Sequence, residues 1–197
     1  MTERHTLTSR GAARHQVLIE AAAELFLTKG FAAVTVDEVV AAAGGSKTNV
    51  YRQFGGKEGL FAEVVEQLST EFLSPLSQLD LGSTDRATGL EILGRTLLRQ
   101  LLQPRHIAFQ RMVLATSDQF PDLMAKWYQV GPRRSQAIIA RFLGDPEKTK
   151  RLAIFFHDMI VTDAVNSALM GHSPAWQDVE SRIADAAGLL LSGLERD

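Results

Sequence analysis

Cysteine is absent from the 197 residues. That absence excludes disulfides, thiolate metal sites and cysteine nucleophiles, and it fits a cytoplasmic protein. A strong charge of one sign is missing too: 21 Lys and Arg stand against 23 Asp and Glu, a formal net charge of −2. The chain is no polycation, so any nucleic-acid surface must be local. The opening stretch MTERHTLTSRGAARHQ lacks the apolar core of a signal peptide, and no run of about 18 apolar residues follows it. A soluble protein that stays in the cytoplasm, away from membranes, is the expectation. No segment alternates polar and apolar residues between hairpin signals, so no sheet is expected. His5, His15, His106, His157 and His172 lack the spacing of a helical metal motif. Neither a metal nor any other cofactor is expected.

What is present is a helical pattern from end to end. Hydrophobic residues make up 45% of the chain and charged ones 22%, enough apolar surface for one ordinary domain or two small ones. Leu18, Ala22, Leu25 and Phe26 recur at helical spacing, and that helix ends near Lys29-Gly30. Thr35-Val36-Asp37-Glu38 reads as a capping box opening a short helix through Val39, Val40 and Ala43. Gly44-Gly45 closes it, Ser46 caps the next, and Gly55-Gly56 closes that one at Phe54. A longer helix runs from Lys57 into the Ser74-Pro75 region. Further helices are expected at about 84–102, 104–117, 121–143, 147–170 and 175–194. Gly131-Pro132 should break or kink the third of these. Asp145-Pro146 and Ser173-Pro174 each place a capping residue before a proline at the first helical position.

The stretch GGSKTNVYRQFGGKEGLF, residues 44–61, resembles a phosphate-cradling loop at first sight. A P-loop requires a glycine before the lysine and another five residues earlier, between a strand and a helix. Here Ser46 and Ala41 occupy those positions, and a helix precedes. Two short helices joined by a glycine turn fit a helix-turn-helix instead. Val50 and Phe54 share one face, toward the core. Lys47 with Tyr51, Thr48 with Arg52, and Asn49 with Gln53 make the outer faces, with almost no acid. Such side chains suit the edges of bases in the major groove. Lys57 and the free N–H groups at the next helix start suit a backbone phosphate. The bland alternative, a solvated polar helix, does not account for the caps, the glycine turn and the following lysine together.

Residues 10–61 resemble the DNA-binding domain of TetR-family transcriptional regulators. The resemblance lies in Phe26-Leu27-Thr28-Lys29-Gly30-Phe31, in Thr35 through Gly44, and in Ser46-Lys47, Val50-Tyr51, Phe54, Lys57-Glu58 and Leu60-Phe61. It implies that Thr35, Lys47, Tyr51 and Lys57 contact phosphates, with Ser46 in the same surface, and that Thr48, Asn49, Arg52 and Gln53 lie near base edges. Two positions depart from the pattern. Gly45 stands where a small aliphatic core residue is usual, and Gly56 where a serine usually caps the next helix. Both would loosen the reading head.

Arg111-Met112-Val113, Phe120-Pro121-Asp122-Leu123, Trp127-Tyr128 and Gly131-Pro132 resemble the subgroup with an AefR-like C-terminal domain. The expected architecture is therefore all-α: a three-helix DNA-binding domain at 9–56 and a helical regulatory and dimerisation domain at 57–197. The resemblance implies a homodimer formed by the last two helices. Leu152, Phe156 and Ile160 on one, and Ile183, Ala187, Leu190, Leu191 and Leu194 on the other, are the interface candidates. Phe109, Met112, Trp127, Tyr128, Phe155 and Met159 are candidates for a ligand pocket, with His157-Asp158 and Asp163 as its polar fixtures. The expected function is a repressor that binds a palindromic double-stranded operator as a homodimer and is released by a small hydrophobic inducer. The other class of reading is an all-α ligand-sequestering module or an enzyme with a vestigial helix-turn-helix. No nucleophile–base pair supports the enzyme.

Overall fold

The computed structural model describes residues 9–194, with side chains from 11 to 193. Among these residues there are ten helices and no strand. In order they are α1 (Ser9–Lys29), α2 (Val36–Ala43), α3 (Lys47–Phe54), α4 (Lys57–Ser77), α5 (Arg86–Leu101), α6 (Pro104–Ala115), α7 (Pro121–Val130), α8 (Pro132–Leu143), α9 (Pro146–Leu169) and α10 (Trp176–Leu194).

The local signals act where they stand. Leu18, Ile19, Ala22, Ala23 and Phe26 form the buried stripe of α1, which ends as the Gly30 N–H bonds Phe26 O at 2.9 Å. The capping box of α2 is complete: Glu38 N–H donates to Thr35 Oγ1 at 3.2 Å and Thr35 N–H donates to Glu38 Oε2 at 2.8 Å. The Lys29 ammonium, 2.7 Å away, and then the Thr35 N–H hold the Glu38 carboxyl down at about 2. Gly131 breaks the expected 121–143 helix into α7 and α8, since Pro132 has no N–H to carry the ladder through. Asp145 caps α9 as expected, accepting from Glu147 N–H at 3.1 Å.

One expectation needs correction. Ser173 does not cap α10. The first bonds close on Ala175 O, from Asp178 and Val179, and the helix starts at Trp176, whose ring packs on the core beneath the Arg99 guanidinium. That anchor sets the register, two residues beyond the proline. An 18-residue stretch of α9, with a mean hydropathy of 1.3, is by length and composition apolar enough to cross a membrane, although Asp158 and Asp163 interrupt it and no unbroken apolar run is present. Ala153, Phe156, Ile160, Ala164 and Val165 are instead buried among α5, α8 and α10, as in a core helix of similar composition.

The apolar interior forms two clusters whose border runs along α4. One joins α1, α2, α3 and α4 from Leu60 to Phe72 with Phe109, Met112 and Val113 of α6. The other joins Leu73 and Leu76 with α5, α8, α9 and α10. Elements far along the chain thus build the core beneath the helix-turn-helix.

Candidate nucleic-acid interface

The α3 helix is fenced at both ends. Ser46 Oγ accepts from Asn49 N–H at 3.4 Å, and Gly55, at φ +76, closes the helix by donating its N–H to Tyr51 O at 2.9 Å. That left-handed conformation suits a residue with no Cβ. Val50 and Phe54 are buried beneath α3, and the His15 ring of α1 lies 4.6 Å from Phe54. This anchoring turns the opposite face outward. Lys47, Thr48, Tyr51 and Arg52 are exposed, Tyr51 by 57%.

The exposed side chains already hold one another. Arg52 Nη2 donates to Asn49 Oδ1 at 3.0 Å, which fixes two of the base-edge candidates as a unit. Lys47 Nζ lies 2.8 Å from Asp37 Oδ2, and that bond raises the lysine's pKa. An acid from α2 therefore enters a face that looks free of acid along α3 alone. Gln53 is half-buried, as Asn49 is, and its Oε1 is buried and without a hydrogen-bond partner among the described residues. A buried, unsatisfied amide costs about 1–3 kcal/mol.

The flanks come from neighbouring elements. Thr35 sits at the start of α2 with its hydroxyl engaged in the capping box, donating to Glu38 Oε2 at 3.0 Å. Lys57 Nζ donates to Ala32 O at 3.3 Å and lies 4.3 Å from the centre of the Phe31 ring. Lys57 thus belongs to the edge that also carries Thr35. Gly56 supplies no side-chain cap to α4. A Cβ there would stand 3.4 Å from the Tyr51 ring, an ordinary contact, so it is the backbone at φ +130 that favours glycine.

The pocket candidates divide. Phe109 and Trp127 line a small cavity of about 70 Å³, together with Ser69, Phe72, Gln110, Ser135 and two histidines. Met112 is buried in the cluster beneath the helix-turn-helix and does not line the cavity. Tyr128 is exposed under the Arg133 guanidinium. Phe155 and Met159, 51% and 36% exposed, lie on the outer side of α9. Asp163 pairs with Arg182 at 2.7 Å and is no fixture of the cavity.

His157 does line it, through a ring whose Nδ1–H meets Asp158 Oδ1 at 2.9 Å. Burial lowers its pKa despite that carboxylate. His106 lines it as well, although it stands outside the expected pocket set. Its Nδ1–H donates to Leu101 O at 2.9 Å, and burial pushes its pKa down to about 4. Both rings are therefore neutral at pH 7, each with Nε2 as its acceptor nitrogen. The sequence signal for His106 is a polar ring on the apolar stripe of His106, Phe109 and Val113, three and four residues apart.

The interface candidates mostly face inward. Phe156, Ile160 and Ile183 are fully buried in their own chain, with Ala187 and Leu190 nearly so, and Leu191 packs at the edge of that core. Leu194 lies outside the described side chains. The outward apolar groove is built from Leu152, Phe155, Met159, Leu189, which is 66% exposed, and the rim of Leu190. Successive positions on a helix lie about 100° apart, so 155–159 and 156–160 are adjacent stripes. Periodicity alone does not say which stripe faces in.

This arrangement of a capped, outward polar helix over an all-α body has close parallels. Residues 18–64 match the tetR family of bacterial regulatory proteins, and residues 88–191 match the C-terminal domain of AefR-like transcriptional repressors. A TetR-family regulator from Mesorhizobium loti is similar in structure, with 26% identity, a TM-score of 0.81, and 94% of this chain and 98% of that one covered. The flavonoid-responsive regulator FrrA is 25% identical with a TM-score of 0.78 over 92% and 97% of the two chains. A TetR-family regulator from Pseudomonas syringae, 19% identical, shares the fold with a TM-score of 0.68 over 94% and 97%. No curated protein matches the sequence. The chain belongs to the TetR family of transcriptional regulators, which are not enzymes.

Proposed function

We propose that the chain is a cytoplasmic, ligand-released repressor that binds a palindromic operator as a homodimer, with a reading head at 9–56 and a regulatory domain at 57–197. The observation that carries this reading is the outward face of α3, where Lys47, Thr48, Asn49, Tyr51 and Arg52 stand on a buried base of Val50 and Phe54. Ser46 and Thr35 position helix starts at its edge, and Lys57 supplies a further cation. A single short helix reads few base pairs, so two heads spaced about one helical turn apart give the affinity and specificity of an operator. The α9–α10 groove, with Phe155, Met159 and Leu189 exposed together, supports pairing of two copies there.

The small apolar cavity supports ligand response. Phe72, Phe109 and Trp127 offer aromatic walls, and the neutral imidazoles of His106 and His157 offer acceptors. A planar aromatic molecule carrying hydroxyl donors suits that chemistry, and FrrA is a flavonoid-responsive regulator of 25% identity. At about 70 Å³ the cavity must expand to admit it. An apolar cavity of about 150 Å³ is large enough to bind benzene.

Selection from a pool of random duplex DNA by the purified protein tests the core of this reading. One palindromic sequence should be enriched at moderate salt, and Lys47→Ala combined with Tyr51→Ala should abolish the enrichment. If no sequence is enriched, or if the double variant enriches the same one equally well, the reading fails. A hydroxylated flavone added to the complex should then release the DNA.

A further inference from the structure

The turn before α3 holds a cation that the family resemblance does not assign. Gly45 adopts φ +122, a conformation that side chains rarely take. A Cβ there would stand 2.7 Å from Arg14 Nη2 and 3.5 Å from Arg14 Nε and Cζ. At Gly44 the corresponding atom would lie 4.0 Å from the same Nη2. The guanidinium, reaching over from α1, therefore occupies the space that an aliphatic side chain at 45 would fill. Gly45 is held by its φ of +122, and the space beside it is where the Arg14 guanidinium rests.

Arg14 is also unspent. Lys29 pairs with Glu38, Lys47 with Asp37, Arg52 with Asn49, and Lys57 with a main-chain carbonyl. Arg14 is exposed and has no ion-pair or hydrogen-bond partner among the described residues. Its guanidinium lies over the Gly44-Gly45 turn, which leads through Ser46 into α3. In a docked helix-turn-helix the start of the reading helix meets the lip of the major groove, and the helices around it cross the backbone. A guanidinium presents a planar fork that matches two phosphate oxygens, and a glycine main chain allows a phosphate to approach closely.

We propose that Arg14 and the Gly44-Gly45 turn form a subsite for one DNA backbone phosphate, just ahead of the reading helix. This rests on the regulator reading above. The subsite adds affinity and register and carries no base preference.

The test measures affinity of wild type, Arg14→Ala and Arg14→Lys for two duplexes of about 30 bp, one of random sequence and one enriched by selection, between about 50 and 200 mM salt. Arg14→Ala should weaken both duplexes by the same factor and lower the slope of log K against log salt by about 0.9, one phosphate's share. Arg14→Lys should keep most of the slope while weakening both duplexes, because charge remains and the fork is lost. Gly45→Ala, checked by melting temperature for an intact fold, should weaken both duplexes as Arg14→Lys does, by displacing the guanidinium. An unchanged slope in Arg14→Ala overturns the subsite, and so does a change in which duplex is preferred. If wild type binds neither duplex, the regulator reading itself falls.

Discussion

Acid titration of the cavity gives the sharpest quantitative test. His106 is buried against Phe72, with ring centroids 4.7 Å apart, and its pKa falls from 6.5 to about 4. Desolvation of the charged ring is the main cause, opposed by the bond to Leu101 O. A group whose folded pKa lies below its unfolded value binds more protons when unfolded. Its stabilisation is therefore complete above pH 6.5 and is lost as pH falls toward 4. A tenfold fall in the ring's proton affinity corresponds to about 1.4 kcal/mol, so His106 accounts for about 3 kcal/mol across that window. His157, the other titratable side chain lining the cavity, acts in the same direction. The carboxyls of Glu38 and Asp85, both lowered, contribute only below about pH 4.5. Urea unfolding followed by circular dichroism, at fixed protein concentration and several pH values from 7 to 4, reads the slope. His106→Phe fills similar space but cannot titrate. It should be less stable at pH 7, because Leu101 O loses its donor, yet lose about 3 kcal/mol less than wild type on acidification. Parallel curves for the two proteins would refute the argument that burial keeps this ring neutral.

Phe155→Glu places a carboxylate in the outward α9–α10 groove, 51% exposed in the single chain, so the fold should survive while the dimer does not. Sedimentation should show a monomer, and a stable dimer would remove this face from the interface. Lys57→Ala should weaken binding to all duplexes alike and reduce the salt slope by about 0.9. Arg52→Ala, in contrast, should change the sequence selected, and binding measured across the selected pool separates the two outcomes.

Legibility in the sequence followed the range of the physics. The helix-turn-helix was readable because its boundaries are set by neighbours in the chain: Thr35 with Glu38, Ser46 with Asn49, Gly55 with Tyr51. The orientation of α9 was not readable in that way. Its Phe155 and Phe156 are equally apolar, and only the packing of α8 and α10 decides which one is buried. His106 depends likewise on partners from α4 and α5. The ion pair of Lys47 with Asp37 was hidden for a related reason, since the acid comes from another helix. Gly45 was visible as a departure, but the guanidinium resting beside it comes from an arginine 31 positions earlier in the chain.

In the proposed mechanism a ligand acts only through unequal affinity for the closed and expanded forms, and a tenfold change in operator binding needs about 1.4 kcal/mol of coupling. The route for that coupling is short. Trp127 forms one wall of the cavity near the end of α7. At the other end Phe120 packs edge-on against Phe31, centroids 5.0 Å apart, and within 5.9 Å of Phe61. Phe31 is the ring beneath the Lys57 ammonium. A shift of α7 to admit a ligand therefore presses on the aromatic cluster that seats α1 and the start of α4. The ion pairs Lys126–Glu66, at 2.5 Å, and Arg105 with Glu24 and Glu71 tie α6 and α7 to α1 and α4 over the same span. As exposed pairs they contribute at most about 1 kcal/mol each. The buried rings are the stiffer path, because a close-packed core passes on displacement that a solvated ion pair absorbs. An inducer that displaced Trp127 would consequently move Lys57 and the Thr35 edge before it disturbed α3 itself. Phosphate contacts at that edge would be the first to be lost.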